Sequence, residues 1–343
     1  MMSLMAMAND GSVYVNGSTL APIEETDIAV KSEFLTIRLG DNGYASVDVQ
    51  YVFENRGAAR KLQVGFQAEA PYNAEERLPA TGIHPYIKDF TVEMNGKRLS
   101  YQNAFMEPYK DDENDYDEDF QIGYSAVYYF DADFKTGENR IHHTYRYRTS
   151  DGISRVFEVP YWLSPAMAWA DGHIGDFTLR IEAPGTAKHF AVPDTMFTLS
   201  SWKVVDGVGK IRKTQYWDAD YVEIAIRDGA VEWHATDFVP DFNFVLSAVD
   251  SFIGYNDDYR VGEFYDRSDN YVVKWSDYDG ETLTAFDKRV IRNLPYASRG
   301  YVFKDKALSN YFNSLWWYMP DPSYVPDNKD FTEREQRLVR QYK

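Results

Sequence analysis

The sequence predicts a mainly β protein that closes with a small α domain: antiparallel β-sandwich structure, one sandwich or two, followed by a compact C-terminal helical module. Three observations predict it. Apolar and polar residues alternate in short stretches from Ser12 to about Val249, which sends successive side chains to opposite faces. Aromatics make up 16% of the chain and include 27 Tyr, side chains that suit a pleated, half-buried surface. A helical period first appears beyond about Tyr255.

The strands follow in order. Val47, Val49, Tyr51 and Phe53 alternate with Ser46, Asp48 and Gln50. Phe90, Val92 and Met94 alternate with Thr91 and Glu93 and run into Asn95-Gly96, the positive-φ pair of a two-residue hairpin, before Lys97-Arg98-Leu99. Ile141, His143, Tyr145 and Tyr147 share one face, as do Phe177, Leu179 and Ile181, and then Val222, Ile224 and Ile226. Many short alternating strands punctuated by Gly, Pro, Asn and Asp indicate sandwiches or barrels.

After these the character changes. Thr284 with Asp287 has the form of a capping box ahead of Phe286, Val290, Ile291 and Leu294, and Pro295 is expected to kink or end that helix. Gly300 suits a left-handed C-cap. Asp305 can cap a second helix carrying Leu308, Tyr311 and Phe312. A loop with Pro320, Pro322 and Pro326 leads to a last helix from Thr332, with Glu335 as its capping-box partner and Leu338, Val339 and Tyr342 as its apolar stripe.

At 343 residues the chain has room for two or three domains of roughly 100–200 residues. Residues 1–8, where Ala6-x-Ala8 has the form of a cleavage site, read as the end of a signal peptide. Residues 9–150 form a first β region and 151–255 a second, which the sequence leaves either separate or continuous with the first. Residues 264–343 form the helical module. No apolar run approaches the ~18–20 residues that span a bilayer.

Net charge is −18, which disfavours nucleic acid and anionic membrane surfaces as partners, since both are met by Lys and Arg. The charge is uneven. From Thr282 onward eleven Lys and Arg face seven Asp and Glu, a surplus of +4 that leaves −22 on the rest. The absence of cysteine removes disulfides, thiolate metal sites and Cys nucleophiles.

The segment Arg292-Asn293-Leu294-Pro295-Tyr296-Ala297-Ser298-Arg299-Gly300-Tyr301-Val302-Phe303 resembles the YARHG domain, a bacterial extracytoplasmic module named for its Tyr-Ala-Arg-His-Gly signature. Ser268-Asp269-Asn270-Tyr271 upstream resembles the family's Ser-Asp-x-x-Tyr opening, one residue shorter. Lys304-Asp305, Tyr311-Phe312 and Trp317-Tyr318-x-Pro320 resemble its downstream elements, so the likeness covers about 264–343. The departure is at the signature, where Ser298-Arg299 stands for the family's Arg-His pair; any chemistry of that histidine is absent here. The resemblance implies a bacterial extracytoplasmic location, periplasmic or secreted, and an engagement with wall or envelope material. About 9–250 resembles an uncharacterised family of bacterial secreted β proteins. The elements that carry it are Asp27-Ile28-Ala29 with Ser32-Glu33-Phe34-Leu35-Thr36-Ile37, Val49-x-Tyr51-x-Phe53-x-Asn55 and Glu138-Asn139-x-Ile141. Tyr161-x-Leu163 with Trp169 and Ile174-Gly175, and then Asp237-Phe238-Val239-Pro240, continue it in order.

Catalytic patterns fail on geometry. Ser200-Ser201-Trp202-Lys203, Ser268-Asp269-Asn270 and Lys135-Thr136-Gly137 match the three motifs of penicillin-binding proteins, but in the wrong order. Ser200 and Lys203 read as strand, where i and i+3 point to opposite faces. The histidines at 84, 142, 143, 173, 189 and 234 have no His-x-x-x-His spacing. The acidic run with Asp111, Glu113, Asp115 and Asp117 is a weak Ca²⁺ candidate that lacks the EF-hand spacing; a solvated loop is the plainer reading. No cofactor is expected.

The binding candidates are aromatic. Trp316, Trp317 and Tyr318, with Tyr296, Tyr301 and Tyr311, can present faces to sugar or peptide, or can form the core of a small domain. Trp316 and Trp317 point about 100° apart on a helix, so at most one of them is expected to be deeply buried, which leaves the other as the better binding candidate. Arg299, with Arg292, Lys304 and Lys306, can offer a basic edge to an acidic polymer or dock against the acidic β region. The expected function is a non-catalytic envelope protein, a β scaffold with a C-terminal interaction module, whose partner is a cell-wall or surface polymer or another envelope protein. The alternative is a carbohydrate- or peptide-processing enzyme that uses paired carboxylates on the β scaffold.

Overall fold

The structure, a computed structural model, describes residues 21–22, 26–40, 44–68, 87–106, 125–148, 150–151, 156–182, 188–216, 219–241, 243–250, 284–331 and 333–342. The candidate leader at 1–8, the acidic run at 111–119 and the Ser-Asp-x-x-Tyr element at 268–271 lie outside the described residues.

Alternation builds sheets as the sequence predicts. The strands are β1 Ala21–Pro22, β2 Ile28–Leu39, β3 Tyr44–Asn55, β4 Arg60–Ala68, β5 Ile87–Met94, β6 Lys97–Arg98, β7 Gln102–Met106 and β8 Ser125–Phe134. They continue as β9 Gly137–Arg148, β10 Ser150–Asp151, β11 Val156–Trp162, β12 Ala170–Glu182, β13 Lys188–Pro193, β14 Trp202–Tyr216, β15 Ala219–Phe238 and β16 Asn243–Asp250. A large sheet runs β10-β11-β16-β13-β15-β12-β2-β3-β9-β5-β6, with β14 on β15; a smaller one runs β1-β4-β8-β7.

One pairing departs from the antiparallel expectation: β12 runs parallel to β2, with Phe177 beside Glu33 and Leu179 beside Leu35. A parallel pair cannot be joined by a tight turn. The intervening strands make the connection here, so strands from either side of residue 150 share one sheet.

The faces read from sequence are the buried ones. Val47, Val49, Tyr51 and Phe53 on β3, and Ile141, His143, Tyr145 and Tyr147 on β9, all point into a single core. Phe66 on β4 and Tyr128 on β8 meet Phe90 on β5 at ring-centroid distances of 5.6 and 4.7 Å, closing the small sheet over the large one. The Asn95-Gly96 hairpin forms with φ of 51° and 78°.

Ser200 lies in a single 3-10 turn, Leu199–Ser201, rather than in a strand, and Lys203 is the second residue of β14. Asp194 sets that turn by accepting the Leu199 N–H at 2.8 Å. The two side chains still share no helical turn.

Three α-helices are described in the C-terminal module: α1 Ala285–Ser298, α2 Lys306–Ser314 and α3 Glu333–Gln341. The Thr284–Asp287 capping box and the Asp305 cap form as expected. Pro295 does not end α1, which continues to Ser298. Pro295 is itself buried, and the carbonyl of Pro295 accepts from Ser298 Oγ at 3.0 Å and Arg299 Nη1 at 2.9 Å. Burial and these bonds hold the last turn that the missing donor would loosen. Thr332, and with it the capping box expected there, lies outside the described residues; the Glu335 carboxylate is bonded by Arg299. No described helix is long and apolar enough to cross a membrane.

The module sits on the β14–β15 hairpin. Ala225 of β15 belongs to the module's apolar core. Lys210 Nζ donates to the Tyr318 carbonyl at 2.9 Å, and Arg227 Nη1 to the Met319 carbonyl at 2.7 Å. The Arg212 guanidinium lies 4.1 Å from the Trp316 ring centre. Gly300 is required at this contact. Its φ is +85°, and a Cβ there would lie 2.7 Å from the Met319 oxygen and 2.9 Å from Arg227.

Candidate functional site

The aromatic candidates fall into two groups. Trp317 and Tyr318 are 4% and 3% exposed, inside the core formed with Phe303 and Phe312. Tyr318 Oη also donates to the Tyr301 carbonyl at 2.6 Å. Rings this buried offer no face to a ligand. Tyr311 packs edge-on to Phe286 and Phe312. Trp316 is the less buried of the tryptophan pair, but both residues lie beyond α2, which ends at Ser314, so the helical angle does not account for the difference; the Trp316 ring lies under Arg212 of the β region. The four do not form a platform.

Arg299 is not an exposed basic edge either. Its guanidinium forms a fork with Glu335, at 2.8 Å to Oε1 and 3.0 Å to Oε2, with side chains only 11% and 6% exposed. Its Nη2 also donates to the Asp330 carbonyl at 2.7 Å, and it lies 4.8 Å from the Phe331 ring centre. The residue that departs from the YARHG signature ties α1 to α3 instead of facing solvent. The cations that dock module and β region are Lys210, Arg212 and Arg227, on the β side; sequence reasoning placed them on the module.

Tyr296 and Tyr301 come together. They line a cleft of about 230 Å³ with Arg292, Asn293, Pro326 and Val339. Their rings stand 6.1 Å apart at 60°, and Tyr296 is braced edge-on by Phe331 at 4.7 Å. Arg292 and Tyr296 are one helical turn apart on α1, which puts both side chains on one face. Val339 arrives from α3 and Pro326 from the proline loop. Arg292 forms no ion pair with a described residue, whereas Arg289 on the same helix is paired with Asp305 at 2.7 Å. The cleft therefore combines a cation, two aromatic walls and apolar sides. The Arg292–Tyr296 spacing was the available sequence signal; Pro326 and Val339 carried none.

A larger groove of about 500 Å³ lies on the outer face of the large sheet, lined by residues that include Thr36, Arg38, Asp48, Gln50, Arg146 and Glu182. Its carboxylates are held. Glu182 meets Arg38 at 2.6 Å and Arg180 at 2.8 Å; Asp89, also in the lining, meets Arg146 at 2.7 Å. Partial burial pushes the Glu182 carboxyl up, but the hydrogen bonds and charges of Arg180 and Arg38 outweigh it and hold it below the usual range.

The carboxyl pushed strongly upward is elsewhere. Glu33 is wholly buried, and desolvation takes it to about 8 against the hydrogen bonds from Tyr161 Oη at 3.0 Å and Tyr51 Oη at 3.4 Å. His143, its ring 5.7 Å from that of Tyr51, is driven down to about 3 by the same burial, with a smaller contribution from His142. Neither group lines the cleft or the groove. No cluster of three or more metal-ligating side chains occurs among the described residues.

Residues 272–343 match the YARHG domain family. Among solved structures, a "putative nutrient binding protein" from Legionella pneumophila subsp. pneumophila is similar, with a TM-score of 0.56 and 22% identity over 95% of this chain and 98% of that one. Yeast LTA4 hydrolase in complex with bestatin has a TM-score of 0.32 at 12% identity, over 72% of this chain and 33% of that one. An M1 zinc metallopeptidase from Deinococcus radiodurans has a TM-score of 0.27 at 10% identity, over 66% of this chain and 43% of that one. No curated protein matches the chain.

Proposed function

We propose that this chain is a non-catalytic binding protein of the bacterial envelope, extracytoplasmic, whose helical module holds an acidic group of a wall or surface polymer. The β region is read as its scaffold. The observation that carries the reading is Arg292, in no ion pair with a described carboxylate, in the lining of a cleft shared with Tyr296 and Tyr301. A guanidinium in no ion pair with the described residues can meet a carboxylate or phosphate from outside. Apolar walls around it exclude water and strengthen that contact. The YARHG match supports the location, and the word "binding" in the Legionella neighbour's description agrees with the activity class.

The enzymatic alternative needs a carboxyl with a raised pKa facing a partner across an open cleft. Here the raised carboxyl, Glu33, is sealed in the core, and Glu182 in the groove is held low. These observations favour binding over catalysis.

The test is co-sedimentation of the full chain with purified peptidoglycan sacculi carrying their attached polymers. Arg292→Ala and Tyr296→Ala are each expected to lower retention about tenfold or more, the weight of one charge-assisted contact or one aromatic anchor. Lys61→Ala, on the small sheet, is expected to retain binding. Equal retention by all variants would remove the cleft as the reader.

A further inference from the structure

The outer face of the large sheet carries a groove apart from the module's cleft. Cross-strand rows set its chemistry. Thr36 on β2 pairs with Asp48 on β3, which pairs with Thr144 on β9. In the next row, Phe34 pairs with Gln50, and Gln50 with His142. Paired residues project from the same face, so hydroxyl, carboxylate, amide and imidazole groups form a polar floor. The groove of about 500 Å³ lies over it.

Three features of this floor point to one kind of ligand. First, its charge is nearly balanced. Two arginines, Arg38 and Arg146, face three carboxylates, Asp48, Asp89 and Glu182. The carboxylates are already engaged, Asp48 by His142 at 2.9 Å and the others as described above. A strongly charged ligand would have to displace these pairs.

Second, the ion pairs fix side chains that keep spare donors and acceptors. A carboxylate can accept several hydrogen bonds and a guanidinium can donate five. Groups positioned in advance lose little freedom when a ligand arrives. Third, Phe34, paired with Gln50 of the groove's lining on one side and Thr178 on the other, stands 37% exposed just outside the residues that line the groove. An apolar ring on an otherwise polar face gives the C–H side of a sugar something to stack on.

We infer that this groove binds a neutral oligosaccharide, its hydroxyls on Thr36, Asp48, Gln50 and the paired arginines and one ring face on Phe34. A peptide strand is the poorer fit, because the face lies in mid-sheet, where the backbone groups are already paired with β2, β3 and β9 neighbours.

Titration calorimetry of the full chain with cellohexaose, chitohexaose and maltohexaose, and with hexagalacturonate as the acidic counterpart, tests this. At least one neutral hexasaccharide is expected to bind. Phe34→Ala and Gln50→Ala are each expected to weaken it by about tenfold or more, and Tyr296→Ala to leave it unchanged. Phe34 and Gln50 are surface positions, and an unchanged thermal midpoint in both variants confirms that folding is intact. The inference is overturned if no neutral hexasaccharide binds at millimolar concentration, if hexagalacturonate binds tighter, or if Tyr296→Ala rather than Phe34→Ala abolishes binding. The hexagalacturonate arm is run in the Arg292→Ala chain, so that an acidic ligand held by the module's cleft counts toward the sacculus-binding reading and not against the groove, and the two readings fail separately.

Discussion

The β region and the helical module bury ionisable groups in opposite ways. In the sheet core, Glu33 and His143 are kept neutral: the carboxyl is pushed up to about 8 and the imidazole down to about 3. Glu33 Oε2 and both ring nitrogens of His143 have no hydrogen-bond partner among the described residues. In the module, Arg299 and Glu335 form a bidentate pair braced by the Pro295 and Asp330 carbonyls. A large apolar core disfavours charge strongly enough to discharge a lone group. A guanidinium cannot discharge, so the module encloses it only with a carboxylate in matched geometry. The sheet thus carries a pH-dependent cost, and the module a cost that appears when one partner is removed.

The largest expected effect comes from breaking the module's pair. Arg299→Ala leaves Glu335 enclosed without its partner and should destabilise the module by about 3–5 kcal/mol. Replacing both, Arg299→Met with Glu335→Leu, should recover most of that loss. Urea titration followed by tryptophan fluorescence measures both, since Trp317 lies in the module core. A double variant as unstable as the single one would show that the fork itself, and not a stranded charge, holds the helices.

An intermediate effect distinguishes the sheet. The folded state keeps a proton on Glu33 that the unfolded chain releases above its ordinary 4.5, so this group lowers stability as pH rises from 4.5 to about 8. His143 acts in reverse, lowering stability as pH falls from 6.5 to about 3, because only the unfolded chain takes up its proton. Each slope is about 1.4 kcal/mol per pH unit, and between 4.5 and 6.5 they oppose one another. Glu33→Gln should flatten the profile on the alkaline side and His143→Phe on the acid side, read by unfolding midpoints across pH. A profile unchanged by either variant would contradict the neutral-core description.

The smallest effect lies where the regions meet. Trp316→Ala removes the contact with Arg212 and should cost roughly 0.5–1 kcal/mol. It should raise protease sensitivity in the module more than in the sheet. Equal sensitivity would mean that the carbonyl contacts of Lys210 and Arg227 hold the two parts together without it.

Much of this was legible locally. Period-2 alternation identified the buried faces of β3, β9, β12 and β15. The Thr284–Asp287 and Asp305 caps, the Asn95-Gly96 turn and Gly300 were readable because each depends on residues within one turn. The aromatic-rich YARHG elements located the module. The site was half legible: Tyr296 and Tyr301 line the cleft, while Trp317, Tyr318 and Arg299, plausible as binders by residue type, belong to the interior.

The sequence by itself determined which segments are strands and helices and which face of each is apolar, since those follow from φ/ψ preference and spacing along the chain. Only the tertiary structure decided that β12 lies parallel to β2, that Arg299 meets Glu335 and that Glu33 meets Tyr161. Partners 36 and 128 residues apart are selected by sheet order and helix docking. No local period encodes that order, because the same alternating strand fits many neighbours until the whole core is closed.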